Sequence, residues 1–183
     1  MTTAHSPADL VHPLLRVRQV REFASTPVDP AALDAMADAA RWSGSSRNGQ
    51  PWRFVIIRDR HTLRAIHEAG LPQTRSLATT QAAIAIVLPS EPGSGISHGY
   101  DEGRAAERML IAASLLGLGA GIAWVRADAR PAVSALLGLP EERFVRTVIA
   151  VGHPTDASRR PKSAPGEARL PREDTVFAER WPG

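Results

Sequence analysis

Three arginines, Arg16, Arg18 and Arg21, fall within six residues just ahead of Phe23. Guanidinium groups so clustered can neutralise a phosphate dianion through paired charge-assisted hydrogen bonds. A solvated basic face would have the same sequence. A second segment, Ser45-Ser46-Arg47-Asn48-Gly49-Gln50-Pro51-Trp52, sets hydroxyls, side-chain amides and a tryptophan between a helical pattern and a strand pattern. A connector seldom needs that many hydrogen-bonding groups beside a large aromatic. The segment suits a polar, flat ligand.

Other motifs carry less. Gly95-Ile96-Ser97-His98-Gly99 spells G-x-S-x-G. A nucleophile elbow needs a strand running directly into its serine, and Pro89, Pro92, Gly93 and Gly95 intervene, so the stretch reads as a surface loop. Gly93, Gly95 and Gly99 miss the spacing of a dinucleotide-binding turn, and no acidic residue ends a strand about twenty residues on. Gly117, Gly119 and Gly121 follow a helix and precede a strand, as a helix end and tight return would. The six histidines show no metal-ligand spacing, and Asp128 and His153 make no credible triad with Ser97. The absence of cysteine excludes disulfides, thiolate nucleophiles, iron–sulfur clusters and cysteine-built zinc sites. No catalytic side chain and no metal ligand are assigned.

The elements that must position these residues follow from periodicity and punctuation. Leu10 to Arg21 reads as a basic, partly helical opening interrupted near Pro13. Asp29-Pro30 starts a helix whose apolar face is Leu33, Met36, Ala37 and Ala40. Strands are expected at 53–58, 82–88, 122–125 and 144–151, and short helices after Asp59 and Asp128. The longest helix is expected over 101–116. Its face of small residues (Ala105, Ala106, Ala112, Ala113) allows close packing in the centre or at a subunit interface.

The 183 residues suggest one domain. A net charge of +3 coexists with a pI near 10.4 because Lys162 is the only lysine and Tyr100 the only tyrosine, so little titrates between neutrality and pH 10. That small excess does not support a nucleic-acid partner. Residues 1–7 have no apolar signal region, and no apolar run reaches the ~18 residues of a membrane span. A cytoplasmic protein with no membrane partner is expected. The tail after Val151 holds five of the fifteen prolines and five arginines. Phe177 and Trp181 near its end favour an arm laid on another surface.

At these segments the sequence resembles the FMN-dependent nitroreductase family. Arg18-Gln19-Val20-Arg21-Glu22-Phe23 resembles its N-terminal phosphate motif. Ala39-Ala40-Arg41-Trp42 through Asn48-x-Gln50-Pro51-Trp52-x-Phe54 resembles its most recognisable stretch. Asp101-x-Gly103 through Gly119 to Trp124, then Val151-Gly152-His153-Pro154 and Arg169-Leu170-Pro171, follow in the family's order. The departures are Val17 for the first arginine, Gln19 for a serine, Gly44 for a common proline and Glu167 for a second basic residue.

The resemblance implies an α+β fold with a central mixed or antiparallel sheet flanked by helices. It implies a single FMN-binding domain over residues 8–176, a flexible N-terminus at 1–7, and a C-terminal arm at 152–183 that helps intertwine a homodimer. Arg18, Arg21 and Arg169 would hold the FMN phosphate, with Gln19 beside them. Ser45, Ser46 and Asn48, with Gln50, would reach the flavin of the other subunit. The backbone at Trp124 and Val125 would offer N–H groups to the isoalloxazine. The implied activity is hydride transfer from NAD(P)H to a nitroaromatic, quinone or similar small-molecule acceptor by a ping-pong mechanism. Another redox role on the same fold (oxidation of an amide, dehalogenation, flavin breakdown) and a non-catalytic flavin-binding module remain open.

Overall fold

A computed structural model describes residues 6–90, 93, 95–160, 163, 167 and 169–181. Four strands form one antiparallel sheet in the order β1-β2-β4-β3: β1 (Arg53–Ile57), β2 (Ala82–Pro89), β3 (Gly119–Trp124) and β4 (Arg143–Gly152). Side chains alternate between faces along a strand. Ala82, Ile84, Ile86 and Leu88 of β2, with Ile149 and Val151 of β4, therefore point to one layer. Ala83, Ala85 and Val87, with Val148 and Ala150, point to the other. Because β2 is covered on both faces, its sequence is a continuous apolar run rather than an alternating one.

The first face is covered by α2 (Pro30–Arg41) and α4 (Gly95–Leu115). Leu33, Met36 and Ala40 of α2 meet Ala105, Ala106, Met109 and Ala113 of α4, and the small residues let the helices lie close. The second face is covered by α3 (Arg60–Ala69) and α5 (Arg130–Leu136), through Leu63, Ile66 and Val133. The α+β architecture expected from sequence is the one observed, with an antiparallel sheet.

Three boundaries differ from expectation. The segment 95–99 is the first turn and more of α4, not a surface loop. The helix gains enough from packing on α2 and the sheet to carry Gly95 and Gly99, which local propensity disfavours. The third strand begins at Gly119 rather than Ile122. Of the N-terminal segment, residues 1–5 lie outside the described ones, while Ser6 and Pro7 begin α1 (Pro7–Leu15) through a reciprocal Ser6–Asp9 capping box. Beyond β4, α6 (Asp156–Arg159) and one 3-10 turn (Arg172–Asp174) are the regular elements among the described residues. Prolines 161, 165 and 182 and Lys162 of the tail lie outside them.

The cap of α3 gives a pH prediction. The Asp59 carboxylate accepts from Thr62 Oγ1 at 2.7 Å and from Thr62 N–H at 2.8 Å. These bonds hold its pKa below the usual carboxylate range. The folded protein thus binds this proton less tightly than the unfolded chain. The cap stabilises above the ordinary carboxylate pKa and is lost as pH falls through the lowered one. Urea midpoints at pH 7 and pH 3 should differ less in Asp59→Asn than in the parent; an equal difference would remove the cap from the acid response.

Candidate functional site

The chain segment after α1 runs along the open edge of β3. Val20 N–H donates to the Ala120 carbonyl at 2.8 Å, and Gln19 Oε1 accepts from Ile122 N–H at 3.2 Å. Gly119 and Gly121 allow this approach, since a Cβ on either would strike Val20. Phe23 is then buried and forms a bridge to Pro154, with Ala24 N–H on the His153 carbonyl at 2.8 Å. From the other side, Ser158 Oγ donates to the Glu22 carbonyl at 2.9 Å, and Arg18 donates to the Arg159 carbonyl at 3.0 Å. The start of the chain is therefore clamped between β3 and the segment following β4.

That clamp brings Arg18, Gln19, Arg21 and Arg169 to one cavity of about 460 Å³. Ser158 and Arg160 also line it, and Glu107 is the carboxylate among its described lining residues. Residues nearly 150 positions apart in sequence (21 and 169) thus form one cationic end. Arg21 also borders a second hollow of about 340 Å³, with Gln73, Arg75, Ile122 and Trp124. Along β3 the residues whose N–H faces away from β4 are 120, 122 and 124, because Ile122 N–H goes to Gln19 and Val125 N–H goes to the Arg146 carbonyl at 2.7 Å. The Trp124 amide therefore faces this hollow's side of the sheet. Val125 is fully buried and its amide is engaged by the Arg146 carbonyl, which corrects the expectation that it offers an N–H to a ring.

The 45–52 segment lies at another cavity, of about 540 Å³, lined by Ser46, Arg47, Gln50, Arg53, His98 and Asp101 among others. It shares no lining residue with the arginine cavity. Within one chain, Ser45, Ser46, Asn48 and Gln50 are therefore not joined to Arg18, Arg21 and Arg169. The loop is tightly built. Ser46–Asn48 is a 3-10 turn, and Arg47, Asn48 and Gln50 all have φ between 46° and 56°, a conformation non-glycine residues adopt at a cost. Gln50 N–H donates to Ser45 Oγ at 2.9 Å. Trp52 is buried and stacks on Phe54 at 6.4 Å.

One face of α4 holds the loop from behind. Asp101 is buried, and each of its oxygens lies 3.1 Å from Ser46 N. The Arg104 guanidinium abuts Gly44, and Arg108 donates to the Trp42 carbonyl at 2.7 Å. Positions 101, 104 and 108 share a helix face. Sequence reading missed this support, although that spacing was visible. It also missed Gln73 and Arg75, which sit in a stretch without periodicity that forms a 3-10 turn (Arg75–Ala78). An Asp101→Asn variant keeps an acceptor for Ser46 but loses its charge. It should lower stability by about 1 kcal/mol in urea unfolding; no loss would mean the loop is held by its own turns.

The residues on the two hollows suit a group with a phosphate at one end and a flat hydrogen-bonding ring at the other: a cationic end, continued along the strand edge at Trp124. The comparisons with known proteins concern the family and the fold. A family model described as the nitroreductase family matches residues 16–90. An Archaeoglobus fulgidus protein provisionally named NADH dehydrogenase/NAD(P)H nitroreductase is 30% identical over 148 residues, covering 76% of this chain and 82% of its own. The FMN reductase [NAD(P)H] of Bacillus subtilis is 27% identical over 179 residues, covering 87% and 72%. An FMN-dependent nitroreductase of Clostridium difficile has the same fold, with a TM-score of 0.79 at 21% identity over 93% of this chain and 99% of its own. With the phosphate-type cluster, the loop and the sheet edge in the order and places described, and with relatives that match over most of their length, this chain belongs to the nitroreductase family.

Proposed function

We propose that the protein is an FMN-dependent NAD(P)H oxidoreductase that works as a homodimer. The observation that carries this reading is the convergence of Arg18, Arg21 and Arg169 on one cavity that continues, through Arg21, to the open edge of β3 at Trp124. The three guanidiniums would hold the phosphate, with Gln19 fixing the backbone beside it. Gln73, Arg75 and the Trp124 amide would meet the ring. When bound, the flavin supplies hydride uptake from NAD(P)H and its delivery to a second substrate in turn, a ping-pong sequence ending on a nitroaromatic, quinone or similar electrophile. The chain's own part is binding, orientation and a fixed positive field.

A second copy completes the site. Ser45, Ser46, Asn48 and Gln50 do not line the arginine cavity of their own chain, so the proposal has them serve the partner's flavin. Leu10, Leu15, Trp42, Leu115 and Trp181 are left more than two-thirds exposed, surface a dimer can bury, and the tail to Trp181 is proposed as an arm of that interface. Among the described residues, no helix is long and apolar enough to cross a membrane.

The purified protein with added FMN should be yellow and should retain flavin through gel filtration at dimer mass. Anaerobic NADH or NADPH should bleach it, and a quinone or nitroaromatic should restore the colour. Absence of flavin binding would end the enzyme reading. Binding without bleaching would leave a flavin-binding module.

A further inference from the structure

A cavity of about 750 Å³ shares no lining residue with the Arg18/Arg21/Arg169 cavity or with the hollow at Trp124. One wall is apolar, with Pro131 and Leu139 running into the ring of Phe144. The other carries Arg130, Arg143 and Arg146, and Glu141 is the only carboxylate among the described lining residues.

The three guanidiniums differ in how they are compensated. Arg146 is paired with buried Glu102, its Nε lying 2.7 Å from Oε2. Arg130 has no carboxylate within ion-pair distance among the described residues. Its guanidinium carbon sits 5.2 Å above the Phe144 ring, and its Nε donates to the Val125 carbonyl at 3.4 Å. Burial, and then the neighbouring charge of Arg146, hold its pKa below the usual guanidinium value, against the opposing charge of Glu102. Arg143 is pinned by one bond, to the Pro51 carbonyl at 3.3 Å. A guanidinium has five N–H donors. Among the described residues these contacts use one from each of Arg130 and Arg143, fixing their positions while leaving donors for a ligand.

We propose that this cavity binds a small molecule with an oxyanion headgroup, carboxylate or phosphate, on a flat apolar body. The headgroup lies between Arg130 and Arg143, and the body lies against Pro131, Leu139 and Phe144. An anion here adds negative charge beside Arg130, whose described contacts are to a ring and a carbonyl, and the cation–π contact holds the receiving guanidinium in place. The site adjoins the 45–52 cavity, with which it shares Pro89, His98 and Arg143, so the titrations with and without FMN separate it from the flavin reading.

The test is titration calorimetry on the protein saturated with FMN, so that the other arginine cluster is filled, repeated without FMN. The probes are phenyl phosphate, benzoate and uncharged benzyl alcohol. At least one anion should bind, and benzyl alcohol should bind at least about tenfold more weakly, as the loss of a charged hydrogen bond implies. The tighter of the two anions identifies the headgroup. Arg130→Gln and Arg143→Gln should each weaken that anion by about tenfold, whereas Arg21→Ala should not change it. In the unmodified protein the anion should shift NMR signals of Arg130 and Phe144 rather than those of Arg21 and Trp124, which keeps the test decisive if a variant misfolds. Binding of neither anion, equal binding of benzyl alcohol, or sensitivity to Arg21 instead of Arg130 would each overturn the assignment.

Discussion

An Arg21→Ala protein is expected to bind FMN about 10- to 150-fold more weakly than the parent, a loss of about 1.5–3 kcal/mol, the usual worth of a hydrogen bond to a charged group. Arg21 borders both the arginine cavity and the hollow at Trp124, so its removal strikes where phosphate and ring would join. Its side chain is exposed, and the backbone of its segment is held by Val20, Gln19 and Phe23 instead. The urea midpoint should therefore stay within error while the FMN titration moves. Arg21→Lys keeps the charge but loses the planar fork, and should fall between parent and alanine variant. Arg169→Ala should behave like Arg21→Ala. The double variant should lose less than the sum, because both groups act on one anion. Unchanged affinity in both single variants would put the phosphate elsewhere.

Where the sequence was legible, a local signal and a tertiary requirement agreed. Asp29-Pro30 and Asp59 cap the helices they were expected to cap, and the Arg53–Ile57 and Ala82–Pro89 strands stand close to where their β-branched and apolar runs put them. The arginines at 18 and 21 were legible as a cluster, but nothing local could say that Arg169 faces them; the family resemblance supplied that link. Two features were misread because a glycine has more than one use. Gly99 looked like loop, yet it sits inside α4, in ordinary contact range of the Arg146 guanidinium, where packing rather than local propensity decides. Gly117, Gly119 and Gly121 looked like one turn. Only Gly117, at φ +70°, is used that way. The other two are strand residues whose missing side chains make room for a segment a hundred residues earlier, a requirement that no local pattern encodes. The support of residues 42–46 by Asp101, Arg104 and Arg108 was missed for a similar reason, since polar residues on a helix usually face water.

Gly121→Ala is where that hidden requirement meets function. The added methyl group would lie 2.1 Å from the Val20 carbonyl oxygen and 3.2 Å from its carbon. These are backbone atoms, so no rotamer change relieves the clash, and the 17–21 segment must lift from β3. Overpacking of this kind costs about 1–3 kcal/mol. The hydrogen bonds Val20–Ala120 and Ile122–Gln19 are strained with it, at about 0.5–1.5 kcal/mol each. The total expected loss in urea unfolding is about 2–6 kcal/mol. FMN affinity should fall at least as far as in Arg21→Ala, because the lift displaces Arg18 and Arg21 together while changing neither. Gly138→Ala provides the control. Its φ of +62° makes alanine cost about 1 kcal/mol, but Gly138 borders neither hollow, so stability should drop with FMN affinity intact. A Gly121→Ala protein that kept its FMN affinity would mean that β3 does not set the position of the arginines, and that the clamp from Pro154 and Arg159 suffices alone.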